Sequence, residues 1–348
     1  MPLSSAKRAW IVIAVLACAM CAIAAFLAVH NRHDGELVSG ASKGAYPDLL
    51  NKLPPDAPSL GYADVDALRS LKDSPLAAFL GLTSSGPQAD LDYKEFVRNT
   101  GFDYTRDLDK VAVAYWPAAL GSSSGQAVND SRLLAVAIGR FNEPKIKAYA
   151  LRTGKTVQQG AHLIYEVPGD PVVAFEFLSP TQIALTSGNN SESLLWAPIT
   201  SPIDSGMKAS VNRVAGAPVF AVMRTDHLPP DFYSNFHNSP QLVHLVRSIK
   251  SLTLAGEPEG ENIEMALDGE CASMADAASI ATLIDGFRMF GSMAFTDPKA
   301  RSQMTKEQAA FLQSVMNQVK VSHQDAWVRL GLTVTPEMLG VRPPSQSK

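Results

Sequence analysis

Residues 57–68 read APSLGYADVDAL, and residues 217–228 read APVFAVMRTDHL. Both stretches begin with Ala-Pro, continue with a short apolar run and then place an aspartate two residues before a leucine. The apolar runs, Ser59–Val65 and Val219–Met223, are typical of strands. We therefore expect the chain to contain two copies of one unit, each beginning with a strand.

The residues that follow each of these strands repeat a second signal. Ser74-Pro75 comes after the first strand and Ser239-Pro240 after the second, and apolar residues follow both pairs. Serine as N-cap with proline in the first helical position is a specific signal for the start of a helix. Its recurrence at matching places supports an internal duplication.

The remaining pattern completes a β-α-β-β-α unit in each copy. Further helices are predicted to begin at Asn142 and at Ser273, and residues 262–268 alternate between apolar and polar side chains, as in an antiparallel sheet with one wet face. We predict an α+β fold: an N-terminal transmembrane helix, then a duplicated unit forming two antiparallel sheets, each backed by helices. The other predicted strands are Lys110–Trp116, Arg132–Arg140, Leu163–Val167, Val172–Leu178, Gln182–Thr186, Ile249–Ala255, Asn262–Asp268 and Trp327–Val334.

The relation between the two copies has two interpretations. The copies could bury each other's apolar faces, or they could enclose a cleft that holds a ligand. The apolar stretch that contains Phe287, Phe290, Met293 and Phe295 is the candidate wall of such a pocket, although filling the core is the default role for these side chains. An amphipathic helix predicted over Lys306–Val319 would cover the core or the seam between the copies.

The N-terminal segment WIVIAVLACAMCAIAAFLAV, residues 10–29, contains no charge. A helix of that length rises about 30 Å, which is the thickness of the hydrocarbon core of a bilayer. Because Lys7 and Arg8 precede it, the N-terminus is expected in the cytoplasm and the folded part in the periplasm or outside the cell. The expected organisation is a cytoplasmic tail at 1–9, a signal anchor at 10–29, a tether at 30–45, repeats at 46–200 and 201–338, and a disordered tail at 339–348.

Two other fates of this segment stay open. Ala22-Ile23-Ala24 offers a small-x-small cleavage site, so the segment could be removed as a signal peptide. A lipoprotein signal would use Cys18, but Leu16 is bulky where a small residue is expected. A retained single-pass anchor in the cytoplasmic membrane is favoured over both.

Composition and motifs exclude several activities. The chain has 30 Lys and Arg against 34 Asp and Glu, and three of the basic residues lie within the first 32 positions, so the exported part is acidic and a poor match for nucleic acid. Gly154-Lys155-Thr156 lacks the earlier glycine of a phosphate-binding loop, and Gly154 is expected to end a helix. The letters GxSxG occur at residues 40–44, in the expected tether, and at 121–125, in the expected connector between two strands, so neither is a strand-to-helix nucleophile elbow, and no HExxH motif occurs.

These absences predict no catalytic, cofactor-binding or metal-binding residues. Cys271 is the one cysteine outside the apolar segment, so the exported part forms no internal disulfide. We expect a non-enzymatic envelope protein that binds a protein partner or has a structural role, or else a carrier or sensor of a small apolar ligand held between the repeats. An enzyme acting through Cys271 or His227 is the third hypothesis.

The segments LPPDAPSLGYADVDAL, TGFDYTRDLDKVAVA, GRFNEPKIKAYA and HLIYEVP together resemble an uncharacterised family of membrane-anchored, exported bacterial proteins of the acidobacterial type. The resemblance covers most of residues 46–200 and loosely the rest of the chain. Its motifs are structural, so the resemblance implies bacterial export and carries over no site residue.

Overall fold

The computed structural model describes residues 47–70, 91–117, 132–168, 172–187, 203–227, 243–244, 247–260, 262–296 and 318–335. The strands are β1 Ser59–Asp64, β2 Leu108–Trp116, β3 Arg132–Gly139, β4 Lys155–Gln159, β5 His162–Val167, β6 Val173–Ser179, β7 Gln182–Ser187, β8 Val219–Arg224, β9 Ile249–Glu259, β10 Asn262–Cys271, β11 Val319–Gln324 and β12 Trp327–Val334. The α-helices are α1 Val65–Ser70, α2 Leu91–Thr100, α3 Tyr104–Asp107, α4 Glu143–Thr153, α5 Ser205–Val214 and α6 Met274–Thr296. Short 3-10 helices span Asp48–Lys52 and Thr225–His227.

All twelve of these strands belong to one antiparallel sheet, in the order β11-β12-β10-β9-β8-β1-β2-β3-β7-β6-β5-β4. The expectation of an α+β fold with antiparallel pairing is confirmed, but the expectation of two sheets is wrong. The physical reason is that β1 and β8, which open the two repeats, hydrogen-bond directly to each other and join the halves edge to edge.

The β1–β8 pairing is also the centre of an approximate two-fold arrangement. Gly61 pairs with Ala221, which occupies the corresponding position in the second copy, and the same strand order runs outward on both sides. The backbone contacts at the two ends of the pair match as well. The Asp64 amide donates to the Pro218 carbonyl at 2.7 Å, and the Arg224 amide donates to the Pro58 carbonyl at 2.8 Å.

A bulge lies at the same place in both halves. The pairing of β2 with β3 steps from Leu108 to Lys110, and the pairing of β9 with β10 steps from Ile249 to Ser251. Asp109 and Lys250 are the extra residues. A bulge in the second residue of each strand increases the local twist at equivalent points, so the two halves curve alike.

Helices cover both faces of the sheet. On the first face, α2 contributes Phe96 and α4 contributes Ile146 and Ala150 to a core over the first half, and α6 packs against β10, β11 and β12. On the second face, the Asp48–Lys52 helix and α5 pack over the centre of the sheet. The sheet is therefore the middle layer of three, as expected when both of its faces carry apolar side chains.

One line of register partners crosses nearly the whole sheet on the first face. We call it the apolar row: Tyr165, Phe175, Leu185, Ala135, Val113, Gly61, Ala221, Leu254, Leu267, Leu330 and Val321. In the first half, every side chain of the row is buried. In the second half, Leu254 is buried, but Leu267, Leu330 and Val321 are half-buried.

Local signals correctly predicted the starts of α4 and α6. The Asn142 side chain accepts a hydrogen bond from the Lys145 amide at 3.3 Å and begins α4, and Gly154 ends that helix. Ser273 caps α6 by accepting from the Asp276 amide at 3.1 Å. The predicted end of a helix at Val319 is wrong, because Val319 begins β11 beside β12.

The remaining expectations fall largely outside the described residues. These include the helix starts at Ser74-Pro75 and Ser239-Pro240, the segments 1–45 and 339–348, and most of Lys306–Val319. Among the described helices, none is long and apolar enough to cross a membrane.

Gly154 provides a test of the contact between α4 and β5. A Cβ atom at this position would lie 1.9 Å from the Glu166 carbonyl oxygen, so we expect Gly154→Ala to lower the free energy of unfolding by about 1–3 kcal/mol. Gly256→Ala is the matched control, because its Cβ would meet no atom within 4 Å. Urea denaturation of the full-length chain in detergent micelles measures both. Equal stability of the two variants would contradict the close approach.

Candidate functional site

A pocket of about 590 Å³ lies at one end of the β1–β8 seam, on the second face of the sheet. Its lining comes from β1, α1, β2, β9, the chain that leads from α5 into β8, and the residue before the Asp48–Lys52 helix. We call it the seam pocket: Pro47, Tyr62, Asp64, Ala67, Lys110, Ala215, Gly216, Ala217, Pro218, Glu257 and Pro258. Much of the lining is small or proline, and the polar side chains come from the sheet.

An ion pair between neighbouring strands occupies one side of this pocket. Asp64 and Lys110 are register partners on β1 and β2, and Lys110 Nζ lies 3.1 Å from Asp64 Oδ2. The other oxygen of Asp64 accepts from the Ala67 amide at 3.0 Å and so caps α1. The hydrogen bond to Asp64 raises the pKa of Lys110 above its ordinary value, so the ammonium stays charged at neutral pH.

Tyr62 lies next to this pair on β1. Its ring stacks on Phe220 with centroids 5.3 Å apart, and its hydroxyl is in hydrogen-bonding reach of Lys110 and Asp64. Burial, followed by the negative charge of Asp64, raises the pKa of Tyr62. The phenol therefore keeps its proton at neutral pH and acts as a neutral hydrogen-bonding group.

Glu257 lines the opposite side of the seam pocket. It is half-buried on β9 and lies across from Glu264 on β10. Its charge acts on Arg329, whose pKa is raised first by its hydrogen bond to Asp268 and also by Glu257. The pocket thus has a carboxylate on each side, and one lysine bound to the first of them.

A buried charge cluster fixes the wall of the pocket that α5 provides. Asp268 is 1% exposed and accepts hydrogen bonds from Arg213 on α5 and from Arg329 on β12. The guanidinium of Arg213 also lies 4.2 Å from the centroid of the Trp327 ring. Because two arginines share one carboxylate, α5 is held against the sheet just before the chain enters the pocket lining.

The other end of the seam carries different chemistry. Arg224 is at the position that corresponds to Asp64, and it forms an ion pair of 2.5 Å with Asp226. This pair lowers the pKa of Asp226 and raises that of Arg224. The two halves therefore share a backbone arrangement, but the side chains at the two ends of the seam differ.

The structure places the candidates from the sequence as follows. Phe287, Phe290, Met293 and Phe295 lie in the second half of α6, and their side chains are outside the described part of the chain. Burial raises the pKa of the Cys271 thiol to about 11, so it is a poor nucleophile at neutral pH. His227 is 47% exposed and lies 3.9 Å from Asp226. No group of three potential metal ligands occurs among the described residues.

No motif in the sequence indicates the seam pocket, and no local pattern assigns Tyr62, Asp64, Lys110 and Glu257 to one site. Asp64 ends β1, but Glu257 lies within β9, which continues through Glu259 to a turn at Gly260. The only local signal was a polar residue at the end of an apolar strand. Their convergence depends on register between distant strands, which no local pattern reports.

The fold resembles solved structures at low identity. Crystal form IV of TP0453 is 11% identical with a TM-score of 0.46, covering 84% of this chain and 94% of that chain. Crystal form III of the same protein is also 11% identical, with a TM-score of 0.43, covering 85% of this chain and 97% of that chain. No family model matches the chain, and no curated protein matches it.

The pKa shifts of the seam pocket predict a stability change in alkali. The pKa values of Lys110 and Tyr62 are raised above 10.5 and 10.0, so the folded chain holds these protons more tightly than the unfolded chain. Their contribution to stability is complete below about pH 10 and is lost as the pH rises through the raised values. We expect Lys110→Met to flatten the fall in unfolding free energy above pH 10.

Urea denaturation at pH 8 and at several values above pH 10 measures this fall. Lys250→Met is the matched control, because Lys250 is an exposed bulge residue of β9, and it should keep the slope of the unmodified chain. If Lys110→Met keeps that slope too, the ion pair with Asp64 does not stabilise the fold.

Proposed function

We propose that this chain is a single-pass, membrane-anchored extracytoplasmic protein of the bacterial envelope that binds a partner or ligand and does not catalyse a reaction. The apolar, uncharged segment 10–29 and the basic residues before it support the anchor and its orientation. The resemblance to membrane-anchored exported bacterial proteins supports the same location. Repeats at 46–200 and 201–338 form the exported body in this proposal.

The observation that carries the binding role is the geometry of the seam pocket, a volume of about 590 Å³ with the Lys110–Asp64 ion pair of 3.1 Å on one side and Glu257 on the other. The pKa of Lys110 and the pKa of Tyr62 both move upward, away from neutrality. General acid–base catalysis works best when a group titrates near the working pH. Groups that keep their charge and protons are instead suited to holding a ligand of fixed charge.

Removal of residues 1–29 tests the anchor. We expect the full-length chain to stay in the membrane fraction after alkaline carbonate extraction, because about twenty apolar residues are enough to span the bilayer. The truncated chain should be soluble. N-terminal sequencing of the mature protein distinguishes a retained anchor from cleavage after Ala24. Release of the full-length, uncleaved chain by carbonate would contradict the proposal.

A second candidate function is the carriage or sensing of a small apolar ligand. The half-buried part of the apolar row favours it, because Leu267 and Leu330 are open on a face where the first half buries every equivalent side chain. Helix α6, with Phe287, Phe290, Met293 and Phe295 in its sequence, packs against β11 and against β10 and β12, the strands that contain these leucines. In this form, the ligand lies on the sheet face and not in the seam, where β1 and β8 pair directly.

Blocking the row tests this second candidate. Native mass spectrometry of the full-length chain should show a bound apolar molecule, and Leu267→Trp should displace it because the larger side chain fills the open space. Thr333→Trp is the control, since Thr333 is half-buried on the other face of β12, where its hydroxyl bonds to Glu264. A chain that never carries an apolar molecule, or loses it equally in both variants, counts against carriage.

A further inference from the structure

The seam pocket has charged side chains on two sides, and the described residues do not use all of the bonding capacity of these side chains. Lys110, Asp64, Pro218 and Glu257 lie side by side across neighbouring strands, because Asp64 pairs with Lys110, Asp64 bonds to Pro218, and Val219 pairs with Gly256. At about 4.8 Å per strand, the Cα atoms of Lys110 and Glu257 are roughly 14 Å apart. Lys110 and Glu257 are on the same face of the sheet, and both line the seam pocket.

The Lys110 ammonium has more N–H donors than its partners among the described residues use. An ammonium group has three N–H donors. Asp64 and the Tyr62 hydroxyl account for two of the partners of Lys110, and the lysine side chain is 45% exposed. The third donor therefore points to solvent or to an anion in the pocket.

The negative side of the pocket is Glu257. Arg329, the cation on which its charge acts, has its guanidinium hydrogen-bonded to Asp268. Glu257 shares this side with the chain that leaves the C-terminal end of α5 at Ala215 and Gly216, and the end of a helix carries partial negative charge. An ammonium group of a ligand is the natural complement to this side.

Between the Lys110–Asp64 ion pair and Glu257 lies Pro218, which has no side-chain hydrogen-bonding group. Ala67, Ala217 and Pro218 contribute only methyl or ring atoms. A short aliphatic spacer fits such a surface without leaving a buried polar group unpaired. The pocket volume of about 590 Å³ lies within the range of small-molecule sites.

We propose that the seam pocket binds a small zwitterion, with the ligand's ammonium on Glu257, its acidic group on Lys110 and a short carbon spacer over Pro218. This inference rests on the proposed binding role and names its ligand class. An aminoalkyl phosphate has this chemistry, either as a free molecule or as the head group of a lipid.

Calorimetric titration of the full-length chain in detergent micelles with phosphoethanolamine tests the proposal. Saturable binding is expected, and ethanolamine and ethyl phosphate, which each carry one of the two charges, should bind at least tenfold more weakly. Ethanolamine or ethyl phosphate binding as well as phosphoethanolamine would overturn the two-point recognition. No saturable binding of any of the three would overturn the proposal as a whole.

Variants assign the site. Glu257→Gln should weaken phosphoethanolamine binding about tenfold, because a neutral amide replaces the carboxylate that pairs with the ammonium. Glu259→Gln is the matched control, two residues along β9 and fully exposed at the hairpin end, and should stay within twofold of the unmodified chain. Equal binding by Glu257→Gln would place the ligand elsewhere and overturn the inference.

A separate experiment distinguishes a free ligand from the head group of a lipid. Nanodiscs made with phosphatidylethanolamine, with phosphatidylcholine discs as reference, present the same head group on a lipid. Competition of phosphatidylethanolamine with the free zwitterion assigns the head group, and its absence assigns a soluble ligand. Failure of all zwitterion binding would leave the carbonate extraction result unchanged, so it can be told apart from failure of the proposed membrane location.

Discussion

The pairing of β1 with β8 is the interaction on which the rest of the structure depends. Each of these strands has one neighbour from its own half, so their mutual hydrogen bonds turn two partial sheets into one of twelve strands. This pairing also saves both strands from being exposed edges, which are sites of aggregation. The outer edges are instead β4, a short strand with mostly exposed polar residues, and β11. The seam pocket lies at the end of this pair, where the flanking strands β2 and β9 continue past Asp64 and Val219.

The two halves share a backbone plan but differ in how their first face is covered. In the first half, Phe175 and Leu185 of the apolar row are buried in a core to which α2 and α4 contribute. In the second half, Ile280 of α6 packs with Cys271 and Val328, and Leu267 and Leu330 of the row are half-buried. The second half therefore has less packing over the apolar row and more accessible apolar surface than the first half. Exposed apolar surface costs free energy in water, so such an asymmetry is typical of a binding surface.

The sequence predicted the parts of the fold that local physics determines. Strand β1, strand β8, the Asn142 cap and the Ser273 cap follow from apolar runs and capping chemistry within a few residues. The merger into one sheet did not follow, because an apolar strand pairs equally well in one large sheet or in two small ones. The seam pocket was out of reach for the same reason. Its charges come from strands far apart in sequence, and only register brings them together.

A binding role does not require a hollow between the two repeats. The direct pairing of β1 and β8 closes the seam along its length. The seam pocket lies instead at one end of the seam, on the second face of the sheet, and the apolar row lies on the first face. Asp268 links these places, since Arg213 positions α5 above the polar pocket while Arg329 belongs to β12, the strand that carries Leu330 of the apolar row. A buried carboxylate with two arginines is costly to break, so both surfaces are held in fixed geometry. A rigid, preorganised surface loses less conformational entropy when a ligand binds, so more of the interaction energy contributes to affinity.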